Sequence, residues 1–220
     1  MRYQKHGYWT ERPLVRWAQR IAASTFEALG NLECHGSEHI PRNGGVLLLA
    51  NHACYLDPFI IGTVATREIY AMARHDIFQI PILNKILAAF NAYPVKRGTA
   101  DRGALRDTID LLQSGEAVLI FPGGTRTIDG ALQKVHRGVS FIVHNANVPT
   151  IPVFLKGAEQ LMPRDSKYIR PTKLSVTFGE PIDFTKLPDT EDKRELYQGI
   201  GDLIMEAISE LRDASINGKM

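Results

Sequence analysis

Along the chain, short apolar runs alternate with longer stretches in which apolar positions recur every three or four residues. The short runs are "VLLLA" at 46–50, "IYAMA" at 69–73, "AVLIF" at 117–121, "PTIPVFL" at 149–155 and "KLSVTFG" at 173–179. Their length and flanking turn residues predict strands, the fourth interrupted by Pro152. A helix is expected to begin near Asp57-Pro58. The stretch "IPILNKILAAF" at 80–90 reads as a helix that is apolar over much of its surface. "DRGALRDTIDLLQSG" at 101–115 is a cleaner amphipathic helix stopped by Gly115. "EDKRELYQGIGDLIMEAISELRD" at 191–213 closes the chain as a long helix. This alternation predicts an α/β fold, a single domain with a mostly parallel central sheet flanked by helices.

The first 30 residues differ in character. "PLVRWAQRIAASTFEALG" at 13–30 predicts a helix with Pro13 in its first turn and Gly30 at its stop. Leu14, Trp17, Ala18, Ile21, Thr25 and Leu29 fall on one side of it. Arg12, Arg16 and Arg20 recur every four residues as a basic stripe, with Tyr8 and Trp9 just upstream. Two readings stand side by side: an interfacial helix with its arginines on lipid phosphates, and a core-packed helix with a solvated basic side. At the other end, residues 189–213 are rich in carboxylates, so the chain has a basic front and an acidic tail.

Composition narrows the class without naming a partner. The chain has 220 residues, 44% hydrophobic and 23% charged, enough for one sizeable core. A net charge of +2 does not suggest a nucleic acid partner. Cys34 and Cys54 form no disulfide framework, which fits a reducing compartment. His35 and His39 lie beside Gly36 and Pro41, which disfavours a zinc-binding helix and leaves them as surface histidines. No apolar run reaches the length of a membrane span.

Three places could do chemistry. His52 follows the buried run 46–50, and Asp57 comes five residues later. Strand ends of an open α/β sheet are where ligands bind. A histidine there can take a proton near neutral pH, and a carboxylate can orient it. The alternatives are a satisfied strand-end histidine and a helix N-cap at Asp57. "FPGGTRT" at 121–127 is the second place: Gly123 and Gly124 are bare backbone, and Arg126 offers a fork of donors for an anion. A plain glycine turn is the other reading. The third is Lys96-Arg97 in "YPVKRG", at the end of another short strand candidate: a phosphate clamp with Arg126, or a solvated turn. Nucleophile-elbow, Walker and dinucleotide-loop motifs are missing from the sequence.

The order "NHACYLDP", "PVKRG", "FPGGTRT", "VPTIPV" resembles the four blocks of the lysophosphatidate acyltransferase family, the bacterial 1-acylglycerol-3-phosphate acyltransferases. "GSEHIPRNGGVLLLANH" also resembles the run-up to that family's HxxxxD box. The resemblance covers residues 35 to about 180 and implies a glycerol-3-phosphate acyltransferase-like fold. It implies an enzyme moving a fatty acyl group from a thioester donor to a lysophospholipid hydroxyl, in phospholipid biosynthesis. His52 would be the general base and Asp57 its orienting carboxylate, with no acyl-enzyme; Cys54 reads as filler. Lys96, Arg97 and Arg126 would hold the acceptor phosphate. Gly123, Gly124 and Thr125 would shape that pocket with backbone N–H groups, and Pro152 would sit near it.

The resemblance implies no metal and no cofactor. The donor would be acyl-CoA or acyl-carrier protein. The acceptor resides in a bilayer, which favours interfacial binding by a membrane-associating segment at 1–30, with the acyltransferase domain at 31–220. A peripheral enzyme on the cytoplasmic face of the plasma membrane is expected. One departure bears on the acceptor: the family's third box usually reads FPEGTR, and Gly123 stands in place of the glutamate. A different lysolipid acceptor is therefore an alternative, as is a catalytically silent lipid-binding protein on the same fold.

Overall fold

The computed structural model describes residues 21–217 apart from 23, 29–30, 90, 96–100, 127–131, 164–165 and 167. The basic stripe and its aromatic neighbours, residues 8–20, lie outside that set, as do Lys96 and Arg97. Residues 21–22 and 24–28 are helical (α1), and Phe26 of this helix is buried in the core.

Seven strands build one sheet: β1 (Glu33–His35), β2 (Val46–Ala50), β3 (Ile69–Arg74), β4 (Ala92–Val95), β5 (Ala117–Ile120), β6 (Thr150–Lys156) and β7 (Ser175–Phe178). Their order is β1-β7-β6-β2-β5-β3-β4. The five strands from β6 to β4 are parallel, as the strand–helix alternation predicts. β7 runs antiparallel to β6, and β1 is parallel to β7, so one edge of the sheet is reversed. The helices are α2 (Asp57–Val64), α3 (Pro81–Ala89), α4 (Arg102–Gln113), α5 (Arg137–Ala146), the short α6 (Ala158–Leu161) and α7 (Lys193–Ile216).

Strand alternation divides the core into two layers. Val46, Leu48 and Ala50 of β2 pack with Ile60 and Ile61 of α2. Leu47 and Leu49 point the other way, toward Leu111 and Leu112 of α4, Ile142 and Val143 of α5, and Ile200, Ile204 and Ile208 of α7. β1 and α5 are additions to the elements expected from sequence. α5 carries Val139, Ile142, Val143 and Ala146 at helical spacing, all buried.

The expected interruption at Pro152 does not occur, since β6 is continuous from Thr150 to Lys156. The Pro152 carbonyl accepts from the Gly179 N–H at 2.9 Å, just past the end of β7. A strand residue's nitrogen and carbonyl face the same side. The missing N–H of Pro152 therefore faces Gly179, just past the end of β7, and the bonding of β6 to β2 on the other side is untouched. A Cβ on Gly179 would lie 2.8 Å from Pro152 Cγ, so proline and glycine are matched in shape.

The parallel strands β2 and β5 are neighbours, and their connections leave in opposite directions, β2 to β3 and β5 to β6. That is a topological switch point, where a crevice opens beyond the strands' carboxyl ends. His52 and Phe121 both lie one or two residues past those ends.

Candidate active site

Asn51 lets the chain leave the sheet at the end of β2. Its carboxamide donates to the Leu155 carbonyl at 2.9 Å and accepts from the Leu155 N–H at 2.7 Å. The side chain thus does what the next backbone unit of a strand would do for β6. The backbone is released to turn, and residues 52–56 form a tight loop before α2.

Asp57 organises that loop. It is the first residue of α2, Leu56 is the N-cap, and Pro58 follows in the first turn. The cap reading of Asp57 is therefore corrected: the carboxylate does not bond the helix's own amides but turns back along the chain. Oδ2 accepts from the Ala53 N–H at 2.6 Å and the Cys54 N–H at 3.0 Å. The same oxygen lies 2.7 Å from His52 Nδ1. Asp57 is fully buried, and only 15% of the His52 side chain is accessible. His52 and Asp57, five positions apart and on no common helix face, are brought together because the carboxylate gathers the loop around itself.

Cys54 is more than filler. It is buried, its thiol lies 3.1 Å from Asp57 Oδ1 in donating position, and its sulfur accepts from the Leu56 N–H at 3.3 Å. Burial first, and then the adjacent Asp57 carboxylate, push the thiol far above its ordinary range. Only a thiolate is a competent nucleophile, so Cys54 braces the loop and does not attack a carbonyl.

Phe121, just past β5, stacks on the imidazole of His52 with centroids 4.1 Å apart and planes 19° apart. The imidazole is thus held by a carboxylate at Nδ1 and by a ring on its face. With Nδ1–H donating to Asp57, the lone pair resides on Nε2.

Beyond Phe121 the chain makes a tight turn, and the Gly124 N–H donates to the Phe121 carbonyl at 2.9 Å. The expectation that the Gly124 N–H serves a ligand is corrected: that donor is used inside the turn. Residues 132–136 then fold back over it, with the His136 N–H on the Pro122 carbonyl at 3.0 Å. A Cβ on Gly123 would meet Gln133 Cβ at 2.7 Å. One on Gly124, whose φ is +68°, would meet His136 Nε2 at 2.6 Å. The bare backbone is covered by this chain's own side chains. Thr125 Oγ1 donates to Gln133 Oε1 at 2.7 Å.

Arg126 reaches the His52 loop. Its guanidinium carbon sits 3.6 Å above the centre of the Tyr55 ring. Tyr55 occupies one of the four positions between His52 and Asp57 and is half exposed. The first and third sequence blocks therefore meet twice, at His52–Phe121 and at Tyr55–Arg126. Pro152 is buried in β6, opposite Leu49 of β2, where it supports the sheet under the site. Tyr55, Gln133, His136 and Asn51 escaped the sequence reading. Only Asn51 left a signal there, as a polar residue directly after an apolar run.

A model of the family described as Acyltransferase matches residues 31–156 of the chain. The chain belongs to that family. Its acyltransferase relatives include a Bacillus subtilis protein named 1-acyl-sn-glycerol-3-phosphate acyltransferase. That protein is 27% identical over 186 residues, covering 83% of this chain and 90% of its own length. A protein of the same name from Borreliella burgdorferi is 24% identical over 179 residues, covering 80% and 71%. Among solved structures, the 1-acyl-sn-glycerophosphate (LPA) acyltransferase PlsC from Thermotoga maritima matches with a TM-score of 0.70 and 25% identity. That match covers 90% of this chain and 80% of the other. The matched family region spans β1 to β6 and so includes both the His52 loop and the 121–126 turn. Among the described residues, no helix is long and apolar enough to cross a membrane.

Proposed function

We propose that this acyltransferase moves a fatty acyl group from a thioester donor to the free hydroxyl of 1-acylglycerol-3-phosphate, giving phosphatidate. The observation that carries the chemistry is the His52–Asp57 pair at 2.7 Å, stacked on Phe121 at the switch point of the sheet. His52 Nε2 takes the proton of the acceptor hydroxyl as its oxygen bonds to the thioester carbonyl carbon. Asp57 stabilises the imidazolium that results. The tetrahedral intermediate collapses by breaking the C–S bond, and the imidazolium returns its proton to the leaving thiolate. An ester and a free thiol are the products, and no group on the protein is acylated.

Arg126, held beside the His52 loop by Tyr55, supplies charge for the acceptor's phosphate, with Lys96 and Arg97 of the second block as further candidates. The names of the relatives support this acceptor. Gly123 in place of a carboxylate favours a second reading, in which another lysolipid is the preferred acceptor. Acyl-CoA and acyl-carrier protein are both fitting donors.

The acceptor's home in a bilayer, the Arg12, Arg16 and Arg20 stripe and the exposed Ile80 and Ile86 beside and within α3 support a peripheral enzyme. We place it on the cytoplasmic face of the plasma membrane, with residues 1–30 as the associating segment and 31–220 as the catalytic domain. The test is thiol release from acyl-CoA with a panel of lysolipids. Release with 1-acylglycerol-3-phosphate that disappears in His52→Ala is expected. No release with any lysolipid from either donor would overturn the enzymatic reading.

A further inference from the structure

The turn at 122–125 poses a question that the acyl-transfer chemistry does not answer. Two consecutive glycines in a loop beside an arginine usually suggest that a ligand approaches the backbone. Here the space above them is already occupied. Gln133 lies over Gly123, so close that a Cβ there would stand 2.7 Å from its Cβ and 3.0 Å from its Oε1. His136 lies over Gly124. Any side chain at position 123 would have to displace Gln133, so the two positions are alternatives for one volume.

The orientation of Gln133 follows from its partner. Oε1 accepts from the Thr125 hydroxyl at 2.7 Å. A carboxamide whose oxygen is engaged presents its Nε2 hydrogens as donors. Among the described residues, no acceptor takes them. Thr125 directly precedes Arg126 in the chain, so this neutral donor is fixed to the loop that carries the arginine. A carboxylate in the same volume would cancel part of the arginine's charge. A carboxamide adds no negative charge and offers N–H donors instead.

We infer that Gln133 is a specificity residue for the acceptor headgroup, donating Nε2–H to a phosphate monoester oxygen beside Arg126. This rests on the proposal that the 121–126 loop binds the headgroup. The neutral donor favours a terminal phosphate with two negative charges over zwitterionic phosphodiester headgroups, because among the described residues of this turn no carboxylate stands ready to receive an ammonium.

Gln133→Glu is the informative change. It keeps the length of the side chain and an oxygen for Thr125, and it alters only the donor and the charge. The expected result is a rise in the KM for 1-acylglycerol-3-phosphate of about tenfold to a hundredfold, as for loss of a charge-assisted bond. The KM for the acyl-CoA donor should not move. The ratio of kcat/KM for lysophosphatidylethanolamine over 1-acylglycerol-3-phosphate should rise. If Gln133 merely fills the turn, Glu fills it equally well, and an unchanged acceptor KM overturns the inference. Should Gln133→Glu lose its cooperative thermal transition, Gln133→Met tests the same point. It keeps the bulk without N–H donors, and an unchanged acceptor KM is again decisive against. Arg126→Ala, measured in parallel, separates this inference from the reading beneath it. A tenfold rise there with no effect of Gln133→Glu removes only Gln133; no effect of either removes the headgroup loop itself.

Discussion

Replacing Asp57 by asparagine tests the dyad most sharply, because the structure says which way the amide must sit. Oδ2 of Asp57 receives two backbone N–H groups, from Ala53 at 2.6 Å and Cys54 at 3.0 Å, as well as His52 Nδ1. An NH2 placed there would confront three donors. Placed at the Oδ1 position it confronts only the Cys54 N–H and the thiol, each at 3.1 Å. The asparagine oxygen therefore takes the Oδ2 site. It keeps the Nδ1–H bond and the catalytic tautomer of His52, and what disappears is the negative charge. For charge centres roughly 4 Å apart at an effective dielectric of about 20, that charge is worth about 4 kcal/mol to the imidazolium. At 1.36 kcal/mol per factor of ten this sets an upper limit of about 10³ on the loss of kcat. Leaving these Cys54 donors facing a donor costs about 1–3 kcal/mol of stability. The assay is kcat from thiol release at saturating donor and acceptor, with thermal unfolding of the same samples. A kcat within threefold of wild type, together with a lowered Tm, would refute the dyad and leave Asp57 as a brace for the loop.

Three further outcomes are expected. Tyr55→Ala should raise the acceptor KM about twofold to fivefold, the worth of a half-exposed cation–π contact of about 0.5–1 kcal/mol, while Tyr55→Phe retains wild-type kinetics. Gly123→Glu should lower the Tm, since its Cβ has no room beside Gln133, and a second change of Gln133→Gly should restore part of the loss; a Tm unchanged by Gly123→Glu alone would contradict the packing of this turn. Cys54 gives the pH dependence: the folded state holds its thiol protonated above the ordinary value of 9.0, whereas the unfolded chain ionises it there. Its stabilising contribution is full below that value and is lost as pH rises above it, with a slope of up to about 1.4 kcal/mol per pH unit. Denaturant titrations between pH 8 and 10 should show this decline in wild type relative to Cys54→Ser, and parallel curves would count against a protonated buried thiol.

The parts of the molecule that could be read from the chain are those written in local pattern. Apolar runs located five strands, and their alternation with helices implied a parallel sheet. The reversal of β7 could not be read, because an apolar run carries no direction. His52 and Asp57 were visible as a strand-end histidine and a carboxylate. Their contact was implied by the family resemblance and not by local pattern, since it depends on the carboxylate bending back onto the Ala53 and Cys54 amides. Gly123 and Gly124 announced a bare backbone. What covers them lies at Gln133 and His136, on the segment that leads into α5. Arg126 was legible as a cation, and its stacking partner was not, because Tyr55 stands at a position the HxxxxD spacing leaves unspecified.

Asn51 has a consequence for motion. A strand end is ordinarily where a sheet frays first, and here His52 sits two residues beyond it. The paired bonds to Leu155 tie the local opening of this loop to the unzipping of a strand in the interior of the sheet. Amide exchange at Leu155 should therefore be as slow as at the middle of β6, although the neighbour that protects it is a side chain. In Asn51→Asp one of the two bonds becomes a carboxylate facing a carbonyl, and exchange at Leu155 and at the His52 loop should accelerate together. The lifetime of the His52–Asp57 arrangement is in this way set by the sheet, while the loop itself remains short.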